Sequence, residues 1–509
     1  MKCNKKNIAS WLFVTIFSFY SLQVKAQGGK SGIVTDKAQL VKLRAAVIAQ
    51  IDSPKVHQAY ITAMGIDNPE LEKQYENWMK QYPKSAVIPY SIAKGYLDHE
   101  NPKAKPYLLK TVAIDPKFTE AWGGLWIDGE RWGDFEVSRD YLKKATESDP
   151  FNPNYAFYYA SSLDNVDELK WEQLSLDVAK RFPNHERGAQ ALYWLAARSK
   201  KPEDKQKYFE LLLKSYAPEK FNWSAGGAYN YYYFLLPQNP KKALELAQNL
   251  AQNEKGERKE WPDMVALAQG VTNAKMLLDN KKGAEAKQAL SLVKLPRRSP
   301  FATELIVMKA QAADISGQTQ TAYDSLLVAF TKFPEVRLKT VISGYGRKLG
   351  KDLTEIDKDI WNQLDANAKP ATPFNSLKRY LTQGEASLSD FRGKAVLLTY
   401  WFPGCGPCRG EFPHFENVVR KFKGKDLEYV GINIVSEQNE YVVPFMKSSG
   451  YSFTPLEDVK DRQKGNLDNR NAAPMNFLLD KKGRIIFSDF RTNGDNEDDL
   501  EMMISMLVK

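Results

Sequence analysis

The stretch Trp401-Phe402-Pro403-Gly404-Cys405-Gly406-Pro407-Cys408 decides how the C-terminal part of this chain is read. It follows directly on residues 395–400, an apolar run of strand length, and it precedes residues 409–422, whose apolar positions recur at helical spacing. A cysteine that ends a buried strand at the mouth of a helix has its sulfur beside unpaired backbone N–H groups and the positive end of the dipole. Both favour the thiolate. Lowering a thiol pKa from about 8.5 to about 7 raises the ionised fraction at neutral pH from a few per cent to about half, worth roughly 2 kcal/mol. Cys405, at the helix mouth, is therefore expected to be the exposed nucleophile, and Cys408, one turn inside, the resolving thiol. Pro407 withholds an amide donor from the turn between them and stiffens it.

The cysteine count points the same way. The sequence holds three cysteines, and Cys3 lies in what reads as a secretory signal. Lys2, Lys5 and Lys6 precede an uncharged, mostly apolar run over residues 8–22. Val24 and Ala26 then place small residues at the −3 and −1 positions of a cleavage site, so the mature chain is expected to begin at Gln27. The run falls short of the roughly 20 residues that span a bilayer, and Ser18 and Ser21 interrupt it, so no integral membrane segment is expected after cleavage. The expected location is the periplasm or cell envelope of a Gram-negative bacterium. Two cysteines three apart then remain, whereas a disulfide framework would show several well-separated ones. A structural zinc site would need four ligands. His57, His99, His185 and His414 show no ligand spacing, so no metal is expected and the redox-active disulfide is the only cofactor required.

With 509 residues the chain is long enough for two to four domains of ordinary size. Hydrophobic residues at 43% and charged residues at 26% exclude both a disordered chain and a polytopic membrane protein. The formal charge of +10 falls to +6 once residues 1–26, with four lysines and no acid, are removed. No Lys/Arg block with interleaved aromatics occurs, so nucleic acid is not an expected partner.

Prolines recur along the N-terminal part at a nearly constant interval. Pro83, Pro116, Pro150, Pro183 and Pro218 are separated by 33, 34, 33 and 35 residues, each after an amphipathic segment, and Pro300 and Pro334 are again 34 apart. A period of about 34 residues is that of a helix-turn-helix unit that must stack on its neighbours to bury its apolar face. Residues 119–150 resemble the tetratricopeptide repeat, with Trp122, Leu125, Ser138, Leu142, Ala145 and Pro150 at its large, small and turn positions, and Trp126 departing from its glycine. Further helices are expected over residues 240–253, 264–278 and 301–315. The aromatic clusters at Tyr155, Phe157, Tyr158 and Tyr159, and at Tyr229, Tyr231, Tyr232, Tyr233 and Phe234, read as helical core rather than as a ligand groove. The concave face of such an array still offers a surface for a protein partner.

From about residue 365 the texture changes. The division expected is a signal over 1–26, a tetratricopeptide-like all-α solenoid over 27–365, a linker over 366–375, and an α/β domain over 376–509. Strands are expected at 395–400, 427–435, 475–479 and 484–488, the last two joined by a turn at Asp480-Lys481-Lys482-Gly483. Helices are expected at 409–422 and 441–449, and the acidic stretch 495–501 suits a helix N-terminus. That order is the thioredoxin order.

The segment from about 373 onward resembles the TlpA/ResA-like family of extracytoplasmic, thioredoxin-fold disulfide reductases. Residues 382–394 are similar to that family's lead-in to the first core strand. Cys405 and Cys408 match its cysteines, and Glu411, Phe412 and Pro413 match its continuation. The resemblance implies that Glu411 tunes the cysteine pair. It also implies that Pro474, after Ala473, is the cis-proline facing it, where backbone can pair with a bound peptide, so that Trp401, Gly406, Pro407 and Ala473 line the substrate side. Thr399 and Gly404 depart from thioredoxins proper, which carry Asp and Trp there. The expected activity is protein-disulfide reduction, with a disulfide-bearing client and an upstream thiol donor as partners. The alternative is an interaction scaffold whose thioredoxin-like domain is redox-inactive.

Overall fold

The computed structural model describes residues 33–34, 36–253, 260–296 and 299–509; the expected signal lies outside the described residues. Every described element from Lys37 to Asn367 is a helix. The proline rhythm marks where helices stop. Pro83, Pro116, Pro150 and Pro183 each stand two residues beyond the ends of helices Pro69–Gln81, Ala104–Ile114, Phe135–Ser148 and Glu168–Arg181, and Pro218 stands three beyond Pro202–Ser215. Proline ends these helices because it cannot donate the next backbone hydrogen bond. Starts are set by side chains that satisfy first-turn amides: Asn68, Asn152, Asp167 and Asp352 each accept from a backbone N–H of the helix they precede.

Within the array, apolar faces are buried between successive helices. Helices Thr119–Trp132 and Phe135–Ser148 form the unit that the sequence marked most clearly, and Leu125, Leu142 and Ala145 are at most 1% exposed. Trp126, the residue out of pattern, lies over Tyr158 at 4.9 Å between ring centroids, and its carbonyl accepts from Ser138 Oγ at 3.0 Å. The aromatic clusters pack as helix core: Phe157, Tyr231, Tyr232 and Tyr233 are buried, and Tyr232 Oη donates to the Met264 carbonyl at 2.6 Å.

Eight strands follow: β1 (Lys369–Pro370), β2 (Leu377–Lys378), β3 (Glu385–Ala386), β4 (Ala395–Trp401), β5 (Leu427–Asn433), β6 (Thr454–Glu457), β7 (Met475–Leu479) and β8 (Arg484–Ser488). The main sheet runs β1-β8-β7-β4-β5-β6, with β4, β5 and β6 parallel and β7, β8 and β1 antiparallel; β2 and β3 form a separate ribbon. Every residue of β4 is buried, so its apolar run is a central strand covered on both faces. Alternation divides it. Ala395, Leu397 and Trp401 join the core of helices Gly406–Lys421, Asn439–Ser449 and Glu497–Val508, while Val396, Leu398 and Tyr400 join Phe374, Leu388 and Phe391 on the other side. The architecture is therefore a helical array followed by a thioredoxin-like α/β domain.

Two expectations need correction. Residues 366–375 are not slack linker: Asn367 closes helix Leu353–Asn367, β1 pairs with β8, and Phe374 is 1% exposed. Pro370 fits because β1 is an edge strand with no neighbour to receive an amide. The short strand β6 was not foreseen, since its four residues include Pro455 and it too lies at the sheet edge.

The array closes on the domain from both ends. Near its C-terminal end, the Val336 amide donates to Asp499 at 2.7 Å, Asp357 pairs with Lys509 at 3.2 Å, and Asp365 pairs with Arg484 at 2.6 Å. Nearer its N-terminal end, Trp132 meets Tyr441 edge-on and Phe135 meets Phe445, both at 6.1 Å. The Tyr441 hydroxyl donates at 2.8 Å to Asp128, a fully buried carboxyl that desolvation pushes up to about 6. Gly133 turns the chain between these rings with φ +70°, and a Cβ there would lie 2.8 Å from the Phe445 carbonyl oxygen. Gly133→Ala should therefore lower the unfolding free energy of the full chain by about 1–3 kcal/mol, combining backbone strain with a clash across the interface. Unchanged denaturant and thermal melts would show that this contact is not a structural joint.

Candidate redox site

The site is built where β4 hands over to helix Gly406–Lys421. Cys405 is the N-cap of that helix, and its sulfur accepts the Cys408 amide at 3.2 Å, so an orphan donor of the first turn points at the sulfur. Pro407 stands in the first turn, where a missing N–H costs nothing. Cys405 and Cys408 are joined as a disulfide with Cα atoms 5.3 Å apart. The expectation of an exposed first cysteine is corrected: Cys405 is only 2% exposed and Cys408 is fully buried. The sulfur turns inward to its partner, and the chain around it is what meets solvent: Gly404, Gly406 and Pro407 are half-buried, and Gly410 is exposed.

Pro474 follows a cis Ala473–Pro474 bond. The register Tyr400↔Met475 places the residue before β7 level with Trp401, beside the turn that leads to Cys405. Ala473 is half-buried and Ala472 exposed, so an extended chain could reach this backbone. Trp401 is fully buried among Phe412, Phe445 and Phe453, with centroids 4.9–5.5 Å away. It supports the turn from below and offers no surface to a substrate, contrary to its expected place on the substrate side. Truncating so enclosed an aromatic would cost about 3–5 kcal/mol.

Glu411 lies one turn after Cys408 and is 3% exposed. Three donors meet its carboxylate: Arg491 Nε at 2.5 Å and the Thr492 amide at 3.0 Å on Oε1, and Asn476 Nδ2 at 3.0 Å on Oε2. Desolvation nevertheless wins and raises the carboxyl above its ordinary value of 4.5, because the guanidinium opposing it is half-exposed and screened by water. Asn476 and Arg491 were missed in the sequence. An asparagine inside the apolar strand 475–479 was the available signal, since a buried amide needs a stated partner. The register pairs Asn476 with Thr399, whose hydroxyl, like Asn476 Oδ1, has no hydrogen-bond partner among the described residues. Thr399 thus supplies no acid where thioredoxins carry aspartate, and Glu411 brings the buried carboxyl from the helix instead.

All four histidines have hydrogen-bond partners within the fold. His57 is fully buried between Tyr75 Oη and the Ile51 carbonyl, both at 2.8 Å, and His414 meets Glu497 at 2.6 Å. Among the described residues no cluster of three metal-ligating side chains occurs, and no helix is long and apolar enough to cross a membrane.

Residues 366–504 match the Redoxin family model. The thiol-disulfide oxidoreductase ResA of Geobacillus kaustophilus is 34% identical over 119 residues, covering 23% of this chain and 67% of that protein. ResA of Bacillus subtilis is 37% identical over 99 residues, covering 19% of this chain and 54% of that protein. The chain thus spans between half and two thirds of these relatives' lengths, and the Redoxin match lies in the α/β domain. A solved structure of a putative thiol:disulfide interchange protein DsbE from Chlorobium tepidum is 27% identical, covering 28% of this chain and 96% of that one at a TM-score of 0.25.

The raised Glu411 carboxyl carries a pH signature. A folded-state pKa above the unfolded value means that the group's stabilising contribution is complete below about pH 4.5 and is lost as pH rises through the folded value. Relative to Glu411→Gln, the parent should lose stability across that interval. Denaturant midpoints measured in parallel at several pH values would refute the assignment if the two curves ran parallel.

Proposed function

Since this chain belongs, through its C-terminal domain, to the family of the ResA thiol-disulfide oxidoreductases, we propose that it is an exported protein-disulfide reductase working through Cys405 and Cys408. The observation that carries this reading is a disulfide at a helix N-cap whose first sulfur already receives a first-turn amide. The same dipole and amide that hold the sulfur would stabilise its thiolate after reduction.

In the reduced enzyme, the Cys405 thiolate attacks one sulfur of a client disulfide. The client S–S bond breaks, its second sulfur leaves as a thiolate that takes up a proton, and a Cys405–client mixed disulfide forms. Cys408, having lost its proton, attacks the Cys405 sulfur, releases the client as a dithiol and restores the Cys405–Cys408 disulfide. Two electrons have passed from the pair to the client, and an upstream dithiol must return them. Glu411 is the buried group one turn from Cys408 that can accept the proton Cys408 gives up, and its raised pKa suits that exchange. The backbone beside Pro474, with Ala473, Gly406 and Pro407, is the surface on which an extended client segment would lie.

Reduction is favoured over oxidation by the Gly406-Pro407 dipeptide. Thioredoxin-fold pairs span about −270 to −120 mV, roughly 7 kcal/mol, and the residues between the cysteines are a main lever. Export to the periplasm or cell envelope is supported by the basic, apolar and small-residue pattern of residues 1–26. The helical array, with its tetratricopeptide-like period, would hold a protein partner.

Cys405→Ser should abolish insulin reduction, and Cys408→Ser should accumulate a mixed disulfide that can be isolated from cells and mapped. A parent protein with no cysteine-dependent insulin reduction would leave the scaffold reading in its place. Equilibration with glutathione should give a potential near the reducing end of the range, and a value near the oxidising limit would reverse the direction of electron flow.

A further inference from the structure

We propose that Gln438 and Arg409 are positioning residues for the loop that delivers Cys405, and that the helical array tunes the redox pair by holding both through Glu100 and Glu130. The inference rests on Cys405 being the reactive thiol and assigns a role in the chemistry to a part of the chain outside residues 366–504, which the Redoxin model matches.

Two polar chains run from the array to the loop. In the first, Glu100 accepts from Gln438 Nε2 at 2.6 Å, and Gln438 Oε1 accepts from the Gly404 amide at 2.6 Å, immediately before Cys405. Gln438 is 2% exposed, and Glu100 is fixed in turn by Arg131 at 2.9 Å. In the second, Glu130 pairs with Arg409 Nη2 at 3.0 Å, and Arg409 Nη1 donates to the Pro403 carbonyl at 3.2 Å. Glu130 is itself held by Ser138 Oγ at 2.8 Å. One donor and one acceptor of consecutive loop residues are thus satisfied by side chains whose other ends are gripped by the array.

The identity of residue 404 fits this arrangement. A Cβ at Gly404 would lie 2.9–3.0 Å from the Gln438 amide, so a larger residue there would push Gln438 off the loop. Gly404 stands where thioredoxins proper carry tryptophan, and the space is taken by Gln438 reaching in from the segment before helix Asn439–Ser449. Glu100 has a matching constraint, a left-handed φ of +52° just past helix Val87–Asp98, which turns its side chain out of the helix run.

The electrostatic consequence follows from spacing. Arg409 is one helical turn from Cys405, and its side chain is 11% exposed, so the charge is poorly screened. While Glu130 neutralises it, Arg409 adds little to thiolate stability. With Glu130 removed, the same charge favours the Cys405 thiolate, and the reduced pair gains relative to the disulfide.

The test uses the full chain. Glu130→Gln, which keeps volume and a hydrogen bond, should shift the glutathione equilibrium toward the reduced pair by about fivefold and lower the pH midpoint of Cys405 alkylation. Gln438→Ala should speed reduction of the disulfide by a small phosphine, because it unclamps the Gly404 amide. Glu70→Gln, which removes an exposed ion pair elsewhere on the array, should change neither. Melting curves identify any variant whose fold is damaged, and Glu100→Gln, isosteric at the other polar chain, then replaces it. An equilibrium and alkylation midpoint unmoved in a folded Glu130→Gln would overturn the inference, even with insulin reduction intact in the parent. Absence of cysteine-dependent insulin reduction in the parent would instead remove the functional reading beneath it.

Discussion

The short contact between the Cys408 amide and the Cys405 sulfur is possible only because a fully buried strand stops at Trp401 and a helix begins at Gly406. Both sides of that handover are held by bulk. Trp401 is locked among three phenylalanines below the turn, and β4 is hydrogen-bonded on both edges, to β5 and to β7. A central strand cannot slide without exposing an entire face of side chains, so the position of the sulfur is determined by the sheet as a whole. The same register brings Pro474 level with the turn and Asn476 to the Glu411 carboxylate.

Much of this was legible in residue order. The apolar run before Cys405, the acidic start of the last helix and the Asp480–Gly483 turn carry local chemistry strong enough to specify their elements unaided. Prolines 33 to 35 residues apart announced a stacked array because each one ends a helix at the same place in its unit. What stayed hidden depends on distant partners. Pro370 and Pro455 disguise edge strands that exist only because β8 and β5 offer a free side. The burial of Cys405 and Trp401 reflects what surrounds the turn, which helical or strand periodicity does not encode. Asn476 and Arg491 converge on Glu411 from 65 and 80 residues away. Gln438 and Gly404 are 34 residues apart and meet only once β5 and the helix after it are in place.

The helical part and the α/β part cannot be treated as a tool on a handle. Fully buried Asp128 receives the Tyr441 hydroxyl across their boundary, and ring contacts from Trp132 and Phe135 surround it. Burying a carboxyl costs free energy unless its neighbours compensate, so this junction is selective as well as cohesive: it tolerates only a partner that presents a donor at that point.

Stacked-helix proteins are usually open-ended, and copies of the unit can be added or removed with modest effect on the rest. Here, among the described residues, the stack is a clasp fastened at two stretches, with a further ion pair from Lys205 to Asp495 along its length. The stretch around Glu100 to Phe135 grips one flank of the redox domain and the stretch from Val336 to Asp365 grips another. The span between them must equal the girth of what they enclose. Gain or loss of a single unit would leave one fastening out of reach, which makes the number of repeats a dimension of this molecule rather than a freely varying property.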